Sequence, residues 1–142
     1  MKVVVDTNVL VAGLLSPFGP PGEVVRMIAS GVLNVCIDAR ILTEYADVLN
    51  RAKFRFQTEH VHALLEQIRM DGLSVAGTPL ANRLPDPTDE PFLEIAITGD
   101  AACVITGNLK HFPATKRQGM AVLSPAEFLD LYRKHSTRRT RP

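Results

Sequence analysis

A chain of 142 residues with 46% apolar side chains is sized for one domain with a sizeable core and is too apolar to be disordered through its body. Its formal net charge of +1 excludes a global basic field as the basis for binding nucleic acid. Two cysteines without CxxC spacing argue against a disulfide framework or a thiolate metal centre and read as buried thiols within apolar runs.

In chain order, "KVVV" is short and β-branched, the pattern of a strand buried on both faces. Asp6, Thr7 or Asn8 can cap a following helix that includes "VLVAGLL". The loop "SPFGPPG" stops it, and "EVVRMIAS" reads as a second helix closed by Gly31. "LNVCI" is the second strand. The next helix, "ARILTEYADVLNR", carries Ile41, Leu42, Tyr45, Val48 and Leu49 on one stripe. "TEHVHALLEQIRMDG" repeats the pattern with Val61, Leu64, Leu65 and Ile68, and Gly72 ends it. "LSVAG" is a short strand, "LPDPTDEP" a turn-rich approach to the helix "FLEIAIT", and "AACVIT" and "MAVL" are the last strands. In "SPAEFLDLYRKH", Ser124, Pro125 and Glu127 form a capping signature for the final helix.

Strands alternating with helices predict an α/β sandwich with a mainly parallel sheet. One domain is expected over residues 1–134, followed by a basic, frayed tail over 135–142. No run approaches the ~20 apolar residues of a membrane span. The first apolar run is broken by Asp6 and Asn8, unlike a leader peptide, so a cytoplasmic location is the expectation.

In parallel α/β sheets, ligands bind outside the carboxyl ends of the strands. Asp6, Asp38 and Asn108 each follow a predicted strand. On the helix around residues 39–51, Glu44 falls roughly 100° from the centre of the apolar stripe, at the border of core and solvent. It is either a plain exposed glutamate or an acid that leans towards the sheet end. Asp47 falls on the far side and reads as a solvated charge. In "TDEPFLEIA", Asp89 shares the inner face with Phe92 and Ala96, whereas Glu90 and Glu94 project oppositely. Asp89 is either a first-turn capping acid or part of a site. Asp86 reads as a turn residue or as a support for its neighbours. Carboxylates crowded at one sheet edge repel and raise each other's pKa unless a cation is present, and hard oxygen ligands suit Mg²⁺ or Mn²⁺. Such ions can activate a water and clamp a phosphodiester.

The ordered set "VVVDTNVLVAGLL", "EY" after a short strand, "DPTDEPFLEIA" and "VITGNLKHF" resembles the PIN domain family, close to the VapC-like toxins of toxin–antitoxin pairs. The likeness extends over residues 2–130. It implies a three-layer α/β/α sandwich and a metal-dependent ribonuclease, often neutralised by a small antitoxin and often a homodimer. On this resemblance the catalytic set is Asp6, Glu44, Asp89 and Asn108, with Asp6 and Asp89 on the metal. Asn8, Asp86 and Thr106 support the set, and Lys110 and His111 are placed to meet RNA phosphate or to serve only as loop. The family commonly has Asp at the position of Asn108, and an amide oxygen can ligate without bringing charge.

Two other phosphoryl chemistries fit poorly. A haloacid-dehalogenase-like phosphatase needs a second Asp where Asn8 stands, and a receiver domain needs an acidic pair at the first strand. A PIN-like module that binds RNA or a partner without cutting stays open because of Asn108. His60 and His62 read as solvated. Arg51, Lys53 and Arg55 interleave with Phe54 and Phe56, a pattern for stacking RNA, for a packed helix end or for an antitoxin surface. Arg138, Arg139 and Arg141 are either a solvated tail or a weak phosphate attractor.

Overall fold

The computed structural model describes residues 1–140, with side chains through Ser136. Five strands form one sheet: β1 (Lys2–Val5), β2 (Asn34–Ile37), β3 (Leu73–Ser74), β4 (Val104–Ile105) and β5 (Val122–Leu123). Six helices accompany them: α1 (Thr7–Leu15), α2 (Pro20–Ala29), α3 (Ala39–Leu49), α4 (Thr58–Asp71), α5 (Glu90–Thr98) and α6 (Pro125–Thr140). The sheet order is β3-β2-β1-β4-β5 and every pairing is parallel, giving a three-layer α/β/α sandwich.

The strands are apolar without alternation because both faces of the sheet are covered. Val3, Val4 and Val5 are fully buried, as are Cys36, Val104 and Ile105. Register places Val4 beside Val104 and Val5 beside Ile105, so β1 and β4 end side by side. From β1 the chain crosses to β2 on one side and later returns to β4 on the other. The carboxyl ends of β1 and β4 therefore flank the point where strand order reverses, the place where open α/β sheets form a crevice. Both cysteines are buried and free, and burial pushes the Cys103 thiol up to about 12, far from a reactive thiolate.

The predicted capping box of the last helix is present: Ser124 N–H donates to Glu127 Oε1 at 2.9 Å and Glu127 N–H to Ser124 Oγ at 3.1 Å. Helix α6 runs to Thr140, with no Gly or Pro between Pro125 and Pro142 to interrupt it. The side chains of Arg138 and Arg139, and all of Arg141, lie outside the described residues. On α5, the side opposite the inner face is not left to solvent. The segment between β3 and α5 folds over that side of α5, burying Glu90 and Glu94. Glu90 accepts from Leu84 N–H at 2.9 Å and pairs with Arg83 at 3.1 Å, and Glu94 pairs with Arg40 at 2.7 Å. Helical angle alone could not reveal a covering loop.

Tyr45 anchors α3 to the sheet. It is fully buried, its hydroxyl donates to the carbonyl of Val5, and its ring lies 6.3 Å from that of Phe92. The hydroxyl thus fixes the strand end immediately before Asp6. Tyr45→Phe keeps the ring and removes this buried hydrogen bond. Urea denaturation should show a loss of about 1–2 kcal/mol in unfolding free energy with an unchanged m-value.

Candidate active site

Four aspartates stand at or near the starts of helices, and their hydrogen bonds divide them. Asp38 caps α3, accepting from Ile41 N–H at 3.0 Å, and pairs with Arg40 at 2.8 Å. Asp86 caps the short 3₁₀ turn Pro87–Asp89, accepting from Thr88 N–H at 2.9 Å. Asp6 and Asp89 occupy the N-cap positions of α1 and α5, yet neither side chain caps its helix. Both are buried, at 5% and 7% exposure. Capping therefore accounts for Asp38 and Asp86 and leaves Asp6 and Asp89 unexplained as turn residues.

Asp6 is held from β4. Thr106 Oγ1 donates to Asp6 Oδ2 at 2.8 Å, and the same Thr106 oxygen accepts from Asn108 N–H at 3.1 Å. Asn8 Nδ2 approaches the same Asp6 oxygen at 3.3 Å, while Asn8 Oδ1 accepts from Gly107 N–H at 2.9 Å. A Cβ on Gly107 would stand 3.2 Å from Asn8 Oδ1, so glycine permits this close approach. The two strand ends are thus tied by side chains beyond the sheet's own ladder. Glu44 is half-buried on α3, and its Oε2 accepts a short hydrogen bond from Thr7 Oγ1.

Asp89 is less well served. His111 Nδ1 lies 3.1 Å from Asp89 Oδ2, but the two are not aligned as a hydrogen bond, and Oδ2 is buried without a hydrogen-bond partner. Asp6, Glu44 and Asp89 line one open cleft of about 580 Å³, together with Thr7, Asn8, Asp86, Thr88 and His111. Val11, Leu15, Val48 and Phe54 form its apolar flank, and Arg51 stands at its rim, paired with Asp47 at 3.1 Å. Asn108 and Lys110 lie on the segment after β4 but do not line the cleft, and Asn108 contributes its backbone N–H to Thr106. From the sequence Thr7 reads only as a candidate helix cap, and Thr88 carries no reading. The Thr7 contact spans 37 positions, and no local pattern announces it.

Burial, and then the charge of Asp6, lift the Asp89 carboxyl from 3.8 to about 6, with His111 opposing the rise. Burial also raises Asp6, against the Thr106 donor that favours its charged form, and Glu44 adds repulsion. The three acids therefore share one field, and their mutual repulsion is what a bound cation would relieve. The motif resemblance to PIN domains implies a divalent ion. The buried Asp89 Oδ2, which accepts no hydrogen bond, fits one, and so does the hard oxygen chemistry of Asp6 and Asp89. No three His, Cys, Asp or Glu side chains among the described residues stand together as a finished ligand set, so protein ligands would be few and waters would complete the shell.

A parallel α/β/α domain with a carboxylate-lined cleft at its switch point is the class that fold and site define. Residues 2–110 match the PIN domain family, and the chain belongs to that family. The matched span holds Asp6, Glu44, Asp89 and Asn108 and stops short of β5 and α6. PIN domains are in general nucleases and typically use divalent metals. No curated protein matches the chain. Among the described residues, no helix is long and apolar enough to cross a membrane.

A carboxyl that binds its proton more tightly in the folded chain stabilises folding at low pH and withdraws that stability as it ionises. In metal-free protein the Asp89 contribution is present below about 3.8 and is lost as pH rises to about 6. The swing is at most about 3 kcal/mol, since each pKa unit is worth ~1.4 kcal/mol. Asp89→Asn should remove this slope. Measured in chelator, the variant should unfold at higher urea than the parent at pH 7.5, and the gap should shrink towards pH 4.

Proposed function

We propose that this protein hydrolyses phosphodiester bonds in single-stranded RNA with Mg²⁺ or Mn²⁺ held by Asp6 and Asp89. The observation that carries this reading is the pair of buried carboxylates that cap nothing and line one cleft, one of them with an oxygen that accepts no hydrogen bond. A bound ion would supply Lewis acidity to the scissile phosphate and an activated water. Thr106 and Asn8 fix the Asp6 carboxylate, so its orientation is set before substrate arrives. Thr7 holds one oxygen of Glu44 and leaves the other to orient water or accept a proton. His111 in the cleft and Lys110 on the same segment are the candidates for phosphate contact. Asn108 brings a neutral amide where the family commonly carries an acid, and with Glu44, Asp6 and Asp89 completes the proposed catalytic group.

The toxin role, a small antitoxin partner, a homodimer and a cytoplasmic location are proposed on the motif resemblance to VapC-like proteins. A second reading, a PIN module that binds RNA or a partner without cutting, is favoured by the neutral Asn108 and by the unfinished ligand set.

Purified protein should cleave single-stranded RNA only when Mg²⁺ or Mn²⁺ is added. Asp6→Asn and Asp89→Asn should each lower the rate by about 100-fold or more, the scale of removing a preorganised charge-stabilising group. Circular dichroism should show both variants folded. Variants as fast as the parent would remove the site assignment, and a parent that binds RNA without cutting it would favour the second reading. For the biological role, induced expression in a bacterial host should arrest growth, and Asp6→Asn should relieve the arrest. Unimpaired growth with an active nuclease present would discard the toxin role and leave the enzyme standing.

A further inference from the structure

His111 is half-buried among the acids of the cleft and stands at ion-pair distance from Asp89 without donating a hydrogen bond to it. It ends the short 3₁₀ turn Leu109–His111 that follows β4. Its Nδ1 lies 3.1 Å from Asp89 Oδ2. At this distance an N–H aimed at the oxygen would make a good hydrogen bond, but the alignment is missing and Oδ2 has no hydrogen-bond partner. Asp89 is only 7% exposed, so solvent does not supply one cheaply. Two donor atoms bound at right angles to one small divalent ion, each at roughly 2.1 Å, stand about 3 Å apart. The Nδ1–Oδ2 separation is that of neighbouring ligands, with an unaligned ring and an unclaimed carboxylate oxygen as a ligand pair would have.

We propose that His111 Nδ1 is a direct ligand of the divalent ion beside Asp89 Oδ2, and that the cleft therefore selects a first-row transition ion over Mg²⁺. This rests on the metal-dependent reading above. Imidazole is a borderline donor that suits transition ions, whereas Mg²⁺ is held by carboxylate, phosphate and water oxygens. The neutral Asn108 points the same way, since the surroundings offer Mg²⁺ less negative charge. A neutral ring nitrogen adds a ligand without adding repulsion between Asp6 and Asp89. Asp6, Asp89 and His111 line one cleft without standing together as a finished three-residue set, so waters or substrate oxygens would fill the remaining positions.

The test is calorimetric titration of the full chain with Mg²⁺, Mn²⁺ and Co²⁺, for the parent and for His111→Ala. Affinity for nitrogen-containing sites rises from Mn²⁺ to Co²⁺, so the parent should bind Co²⁺ most tightly and Mg²⁺ least. His111→Ala should lose about tenfold or more in Co²⁺ affinity and less than about threefold in Mg²⁺ affinity, the larger loss being on the scale of disturbing a metal shell. Electron spin-echo spectroscopy of the Mn²⁺-loaded parent should show a directly bound nitrogen. That signal should vanish in His111→Ala and persist in His62→Ala, which removes an exposed histidine of α4. Bound Mn²⁺ without the nitrogen signal, or equal losses for Mg²⁺ and Co²⁺, would overturn the assignment. Ion binding abolished by Asp89→Asn but untouched by His111→Ala overturns His111 alone. A parent that binds none of the three ions overturns both the assignment and the metal-dependent function.

Discussion

A carboxylate buried where two parallel strands end side by side is the constraint on which the rest of this molecule turns. Asp6 is 5% exposed, and a charge so placed is costly unless donors surround it. The donors come from across the strand gap, from Thr106 at the end of β4, and from Asn8 in the first turn of α1. Those partners can reach Asp6 only if β1 and β4 are neighbours in parallel and in register, Val5 beside Ile105. The same Thr106 hydroxyl and the same Asn8 amide then bond the backbone of residues 107 and 108, so the segment leading to His111 inherits its position from Asp6. Charge, topology and loop placement are in this sense a single arrangement.

The remaining ion pairs serve a different end. Glu90 with Arg83 and Leu84 clamps the segment between β3 and α5 onto the helix that begins beside Asp89, and Glu94 with Arg40 ties that helix to α3. Glu90 is held below the usual carboxylate range, chiefly by the Arg83 hydrogen bond, so it stays ionised where Asp89 is pushed towards its neutral form. Two adjacent residues of one turn thus have opposite electrostatic environments. Divergent titration in neighbouring carboxyls is the pattern found when one group is structural and the other is reserved for chemistry. The repulsion kept in the cleft is a local loss of stability, and the clamp beside it holds the backbone against relaxation.

Legibility in the sequence followed the range of the interaction. Val3–Val5 announced a doubly buried strand, Ser124 and Glu127 a capping box, and the 3.6-residue stripe the inner side of α3, because each depends on neighbours within one turn. Angle alone also set Glu44 at the margin of that stripe, where it is half-buried. What could not be read depends on distant chain. Helical angle places Glu90 and Glu94 opposite the inner face but says nothing of the loop that covers them, and Thr7 reads as a capping residue until α3 brings Glu44 to it. Strand ends were overestimated for a related reason. "LSVAG" pairs only over Leu73–Ser74, because β3 has a partner on one side alone and the chain leaves the edge early.

The cleft also has a polarity that bears on its proposed substrate. Its acidic floor repels phosphate, so an RNA strand must be drawn in by something else. The cleft lining also offers Leu15, Val48 and Phe54, and Phe54 stacks on Phe56 with ring centroids 5.3 Å apart. Lys53 Nζ stands 5.0 Å from the Phe54 ring, and Arg51 is at the rim. Aromatic faces accept any unpaired base, and nearby cations neutralise the backbone that carries it. A duplex hides its base faces and gains nothing from such a wall. On the proposed function, the flank therefore favours single strands with little sequence preference and leaves the acidic end for the ion and the phosphate it binds.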